Sequence, residues 1–196
     1  MSAELTGGAE STRQTPDVVP LSGEHCDALL QFFRSLPEGD RTFIKEDVTD
    51  PATVQRWTSG EAPGHRWVVT GDGGEVVGYV AVIPLAGWSD HVGEIRLVVA
   101  PDRRGTGLGR TLARHALVQA VEAGLSKVVV EVVADQSSVA ALFTGLGFTG
   151  EALLVDQIRD REGQLRDLMV LAHHVGGTWS AMDTIGVADE LGGSEG

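Results

Sequence analysis

The chain has 196 residues, 42% of them hydrophobic and 22% charged, and a formal net charge of −13. That length fits one domain with tails and a core that needs no staples, and the single cysteine, Cys26, excludes an internal disulfide. No apolar run is long enough to span a membrane, and so acidic a chain excludes nucleic acid as its main ligand, because phosphate binding needs a basic footprint.

The N-terminus lacks a basic segment followed by an apolar one, so it reads as no secretory signal, and a reduced, cytoplasmic setting is expected. Residues 1–16 are polar and without periodicity and read as a disordered arm. Residues 176–196 carry four acids and no base and read as an acidic, glycine-containing flexible tail. The folded part is expected over 17–175.

Asp17 to Leu21 predicts a short strand. Ser22 suits an N-cap for a helix to about Leu36, with Cys26, Leu29, Leu30 and Phe33 on its apolar side. Pro37 to Asp50 is irregular, with room for one helical turn, and Pro51 after Asp50 opens a short helix to Thr58. His65 to Thr70 and Val76 to Leu85 flank Gly71-Asp72-Gly73-Gly74 as a hairpin. Val92 to Ala100 is a further strand, and Thr106 to Ala123 is a helix closed by Gly124. Lys127 to Val133 is an almost pure β-branched run, as in a buried strand. Ser137 to Leu146 is a helix, and Ala152 to Arg159 with Leu165 to His173 make a last strand pair. The order predicts a mixed α/β sheet with helices packed on it.

The most informative segment runs from Pro101 to Arg110. A strand ends, a glycine-dense loop follows, and a helix begins. Gly105, Gly107 and Gly109 let the backbone turn tightly with its N–H groups uncovered. At a helix N-terminus such groups form an anion site for a phosphate or pyrophosphate. Arg103, Arg104, Arg110 and Arg114 make a basic island on an acidic chain; the alternative is a glycine turn with solvated arginines. The Walker pattern fails because Arg110 stands at its lysine position, and the dinucleotide pattern fails because Arg110 or Leu112 stands at its last glycine. What fits is R-x-x-G-x-G, as Arg104, Gly107 and Gly109.

On these residues the chain resembles the GNAT superfamily of acyl-CoA-dependent N-acyltransferases. Val99-Ala100-Pro101, then Arg104-x-x-Gly107-x-Gly109, match its most diagnostic segment, and Gln136, Phe143 and Leu146-Gly147-Phe148 match a second one downstream. The resemblance covers about residues 75–173. It implies a mixed, largely antiparallel sheet of six to seven strands flanked by about four helices. It also implies that the strand before the loop bears a bulge and lends backbone groups of Leu97, Val98 and Val99 to the pantetheine arm of acetyl-CoA. The N–H near Val98 would stabilise the oxyanion. Amides of Arg104, Gly105, Thr106, Gly107, Leu108, Gly109 and Arg110 would hold the pyrophosphate, and Gln136 and Phe143 would line the cofactor.

The acceptor implied is a primary amine on a small molecule, or a protein lysine or N-terminus, attacked directly in a ternary complex. An amine of pKa about 10.4 must first lose a proton, at a cost of about 4.6 kcal/mol at pH 7. Glu94 is the candidate base, because several relatives place a catalytic glutamate there. The alternative is an edge-strand glutamate paired with Arg96 or with an arginine across the sheet. Asp90 and His91 are secondary candidates. The chain departs from the family at Phe143, where a general-acid tyrosine usually stands, and at Gln136, where asparagine is usual. Phenylalanine donates no proton, and Tyr79, on another strand, is the only phenol. A non-catalytic acyl-CoA-binding regulatory module is therefore the rival reading.

No metal is expected, since His173 and His174 would point to opposite faces of a strand. Cys26 reads as a small core residue. Trp57, Trp67 and Trp88 read as core or loop anchors ahead of cleft residues. Acids and arginines around Asp160 and Arg166 read as surface pairing across a hairpin. A homodimer is implied only in that many relatives are dimers.

Overall fold

The computed structural model describes residues 16–41 and 44–175. The tail, and the arm up to residue 15, lie outside the described residues.

The chain runs β1 (Val19–Pro20), α1 (Cys26–Ser35), α2 (Glu38–Arg41), α3 (Pro51–Thr58), β2 (His65–Thr70), β3 (Val76–Pro84) and β4 (Val92–Val99). It continues with α4 (Leu108–Glu122), β5 (Lys127–Val133), α5 (Ser137–Thr144), β6 (Thr149–Arg159) and β7 (Leu165–His174). Local chemistry explains the ends. Asp50 accepts from the Ala52 N–H at 3.0 Å and caps α3, with Pro51 at its first position. Gly107 enters α4 at φ 97°, a left-handed conformation that costs other residues about 1–2 kcal/mol. Beyond the other end of α4, Gly124 turns the chain at φ 76°. The helix expected from Ser22 begins instead as a 3-10 turn, Gly23–His25, where the Ser22 N–H donates to His25 Nδ1 at 3.1 Å. Its buried side chains are Leu29, Phe32 and Phe33, with Cys26 only half-buried.

The seven strands lie in the order β1-β2-β3-β4-β5-β7-β6. Every pairing is antiparallel except β4 with β5. Tyr79 meets Phe33 and stacks on Trp57, so α1 and α3 cover the face that Tyr79 presents. A Cβ on Gly78 would come within 2.9 Å of Leu112, so α4 covers the opposite face and needs that glycine to sit close. Leu112, Ala113, Ala116, Leu117 and Ala120 of α4 are all buried. Full burial of each leucine is worth about 1.5–3 kcal/mol, which makes this stripe a main anchor of the fold.

Parallel pairing of β4 with β5 spans only Val92 to Glu94 against Lys127 to Val129. Both strands continue past that point, so the sheet parts into a V whose apex is Glu94. The β3–β4 register, in contrast, runs without a shift from Gly78 opposite Val99 to Pro84 opposite Gly93. The implied bulge is therefore not seen against β3; the gap arises because the parallel ladder stops.

Candidate active site

A cleft of about 1010 Å³ fills the V and reaches from the glycine loop to Glu94. It gathers Glu94 and all the residues expected to hold the cofactor except two, while the secondary candidates Asp90 and His91 lie outside its lining. Leu108 is buried against Gly78, and the Thr106 hydroxyl is turned to the Arg103 carbonyl at 2.7 Å.

One wall of the cleft is β4. Leu85 donates to the Val92 carbonyl and Ala100 to the Val77 carbonyl, each at 2.9 Å, so every even-numbered residue from 92 to 100 bonds to β3. The backbone groups of Ile95, Leu97 and Val99 must then face the other way, into the gap where β5 has left. The Val99 carbonyl already accepts from Arg104 Nε at 3.4 Å on that side. Leu97 and Val99 thus present backbone groups as expected, but the Val98 N–H does not; it belongs to the ladder with Tyr79. The Val98 side chain still lines the cleft.

The anion end is the loop. Gly105 and Gly107 both have positive φ, at 74° and 97°. Thr111 donates to the Gly107 carbonyl at 3.1 Å, the first bond of α4, so the amides of Leu108, Gly109 and Arg110 precede the ladder and point outward. Gly109 packs tightly, since a Cβ there would lie 3.1 Å from Leu142. Arg104 reaches Asp40 at 2.6 Å, which ties the loop to α2, and Arg110 reaches the Gly145 carbonyl at 3.3 Å. The middle of the cleft is apolar, with Val139, Leu142 and Phe143 from α5. Phe143 is also packed edge-on against Phe148. Outward N–H groups beside Arg104 and Arg110 at one end, an apolar passage and a strand edge unpaired on the gap side suit an anion, an apolar arm and a backbone-like polar group in that order.

The other end is ionic. Glu94 is 6% exposed, on an interior strand and not an edge. Arg96 grips both its oxygens, Nε and Nη2 each at 3.1 Å, and Lys45 Nζ lies 2.8 Å from Oε1. Burial alone raises the Glu94 carboxyl, but the hydrogen bonds and charges of Arg96 and Lys45 outweigh it and hold the group below the usual carboxylate range. Lys45 also lies 2.9 Å from Glu131 on β5, and Arg96 pairs with Glu46. Glu94 is paired with Arg96 as the alternative reading expected, though from an interior strand, and it stands at the apex of the cleft.

Several residues of this end escaped the sequence reading. Glu131 was legible as the lone charge within Val128 to Val133, and Lys45 as one of two lysines in the chain. Tyr79 faces the cleft opposite Val98, and burial pushes its phenol well up, so it stays neutral. Trp57 and Trp67 are buried, while Trp88 is 96% exposed on the β3–β4 connection and anchors nothing. Arg166 pairs with Asp160 at 3.1 Å and also with Asp135 at 3.0 Å, whereas Arg161 reaches Glu38 instead. Among the described residues, no group of three or more His, Cys, Asp or Glu is arranged to hold a metal ion, and no helix is long and apolar enough to cross a membrane.

The fold and cleft define an acyltransferase-like architecture, and comparison with known proteins agrees. The chain belongs to the Acetyltransferase (GNAT) family, whose profile it matches over residues 29–148. It is 34% identical over 102 residues to the uncharacterized N-acetyltransferase YjgM of Escherichia coli, covering 52% of this chain and 61% of that protein. The chain spans less than two thirds of the length of the curated relatives it matches. The ribosomal-protein-alanine N-acetyltransferase of Brucella melitensis superposes with a TM-score of 0.72 at 22% identity, over 81% of this chain and 99% of that one. The protein yncA of Salmonella typhimurium, solved with its cofactor acetyl-CoA, gives 0.72 at 19% identity, over 83% and 95%.

Proposed function

We propose that the chain is an N-acetyltransferase that moves an acetyl group from acetyl-CoA to a primary amine by direct attack in a ternary complex. The observation that carries this reading is the parted sheet, with the loop amides at one end of the gap and ionised Glu94 at the other. The acetyl-CoA held by yncA occurs in a protein of the same fold, which supports the donor.

In this reading the amides of Leu108, Gly109 and Arg110 hold the pyrophosphate, with Arg104 and Arg110 beside it, and Gly105 and Gly107 supply the turn. Leu97 and Val99 bond the pantetheine amides as a neighbouring strand would. Leu97, whose N–H faces the gap nearer Glu94, replaces Val98 as the oxyanion donor. Glu94 accepts the amine proton, directly or through a water, as the C–N bond forms and the C–S bond breaks. Its depressed pKa keeps it ionised at neutral pH and makes it a weak base, so the proton it takes passes on to water. Phe143 donates nothing, so the thiolate leaves unassisted or takes its proton from water; a reference thiol pKa of about 8.5 makes that tolerable. No cysteine is among the residues that line the cleft, which favours direct attack over a thioester acyl-enzyme. The acceptor is a small amine or a protein lysine or N-terminus. Phe143 also supports a second reading, an acyl-CoA-binding module without turnover.

Calorimetric titration with acetyl-CoA, beside an Arg104→Ala, Gly107→Ala double variant, tests the donor site. Binding by the wild type that the variant loses supports it, and an amine panel scored by thiol release then separates enzyme from binding module. No binding by the wild type ends the acyltransferase reading.

A further inference from the structure

The acceptor end of the cleft already holds an ammonium. Lys45 is carried by the irregular connection between α2 and α3, and its side chain is 43% exposed. Its Nζ lies 2.8 Å from Glu94 and 2.9 Å from Glu131. These carboxylates stand on opposite walls of the V. Glu94 is the last residue of β4 paired with β5, and Glu131 lies two residues past Val129, the last residue of β5 paired with β4. Lys45 therefore bridges the opening.

Its neighbours differ in commitment. Arg96 is bidentate to Glu94 and paired with Glu46, and it sits on β4 itself. Among the described residues, Lys45 is the only cation within ion-pair distance of Glu131. The chain has two lysines and thirteen arginines, and the other lysine, Lys127, is paired with Glu151 at the start of β5. A partly exposed ammonium on a loop thus closes a carboxylate pair whose two halves are fixed to strands.

We propose that Glu94 and Glu131 form the ammonium-binding pair for the acceptor, and that Lys45 is an internal occupant which the acceptor displaces. This rests on the N-acetyltransferase reading. Two carboxylates in a partly dry cleft need a counter-charge, because an unpaired charge there is costly. Lys45 supplies it in the free protein. An acceptor ammonium brings the same charge and the same three N–H donors, so exchange leaves both carboxylates satisfied. A neutral molecule cannot make the exchange. The site therefore selects cationic primary amines, with Glu131 as the specificity-determining residue. Competition from Lys45 weakens apparent acceptor affinity by the fraction of time the site stands open.

The test uses the full chain carrying carbon-13 at lysine Cε. Two lysines give two signals, and Lys45→Met assigns that of Lys45 by its loss. Butylammonium chloride is titrated in the presence of CoA, with 1-butanol as the uncharged control. The expected result is a saturable shift of the Lys45 signal with Lys127 unmoved, and no shift with 1-butanol. In turnover, Lys45→Met lowers KM for butylamine several-fold, and Glu131→Gln raises it about ten- to a hundredfold, the range for losing a charge-assisted hydrogen bond, with a smaller change in kcat.

A Lys45 signal indifferent to butylammonium overturns the proposal, and so does a higher KM in Lys45→Met. Acetylation of Lys45 itself by acetyl-CoA, read as one acetyl group on its tryptic peptide, also overturns it, since Lys45 would then be an acceptor and not a stand-in for one. Failure of the acyltransferase reading shows separately, as absent acetyl-CoA binding in calorimetry. The carbon-13 titration then still judges the carboxylate pair by itself.

Discussion

Val98 pairs with Tyr79 across β3 and β4, and the parity of the ladder makes this a hydrogen-bonded pair. The Val98 N–H is thereby spent on β3, and the N–H of Leu97 is the one that faces the gap. A shift of one residue moves the proposed oxyanion donor to the other edge of the strand.

That relationship yields a first prediction. Replacing the Leu97 N–H by an ester oxygen through semisynthesis should lower kcat by about a hundredfold or more, the usual cost of one oxyanion donor. The same change at Val98 should lower the melting temperature, because it removes a ladder bond, with a smaller effect on kcat. Equal kcat losses at both positions would reject the assignment.

Glu94→Gln should reduce kcat by about 10²–10⁴ while acetyl-CoA affinity, set at the loop, stays nearly unchanged. Because Arg96 and Lys45 hold the carboxyl below its ordinary value of 4.5, kcat/KM should show no acid limb from Glu94 near neutrality. It should instead stay level across neutrality and fall only as the free acceptor amine loses the charge that the site binds. The same depression means that the contribution of Glu94 to stability is full above about pH 4.5 and is lost as pH falls through the lower folded value. Acid unfolding of Glu94→Gln should therefore be less steep, as fluorescence titration would read.

Gly107→Ala should destabilise the protein by about 1–2 kcal/mol, because alanine resists the left-handed conformation. Space is not the obstacle, since a Cβ there meets no atom within 4 Å. Acetyl-CoA affinity should fall as the loop amides turn away. Urea melts and calorimetry on one preparation check both effects, and unchanged affinity would remove the loop from the site.

His173 is buried, with Nδ1 3.1 Å from the Gly147 carbonyl and its ring against Phe148. Burial lowers its pKa below the ordinary 6.5. The unfolded chain therefore takes the proton first, so stability is full above about pH 6.5 and declines as pH falls toward the folded value. His173→Gln, which keeps a donor for Gly147, should flatten the melting temperature between about pH 7 and 5. An unchanged slope would assign the acid sensitivity elsewhere.

Much of the fold was legible along the chain. The β-branched run Lys127–Val133 is a strand from end to end as expected, and Pro51 after Asp50 does open α3. These are local signals, carried by residues adjacent to one another. Boundaries moved where local and tertiary demands competed: the helix expected from Thr106 begins at Leu108, because Gly107 takes the left-handed cap, and the last hairpin starts at Thr149 because β7 pairs with it from there.

By itself the sequence determined the element order, the glycine loop before a helix, and Glu94 on the strand that leads to it. Only the tertiary structure decided that the parallel ladder ends at Glu94 and Val129, that Leu97 and not Val98 faces the gap, and that Lys45 and Glu131 meet Glu94 there. The reason is physical. Turn chemistry and burial periodicity act between neighbours in the chain, whereas strand parity and ion pairing join residues far apart in it and exist only once the sheet is assembled.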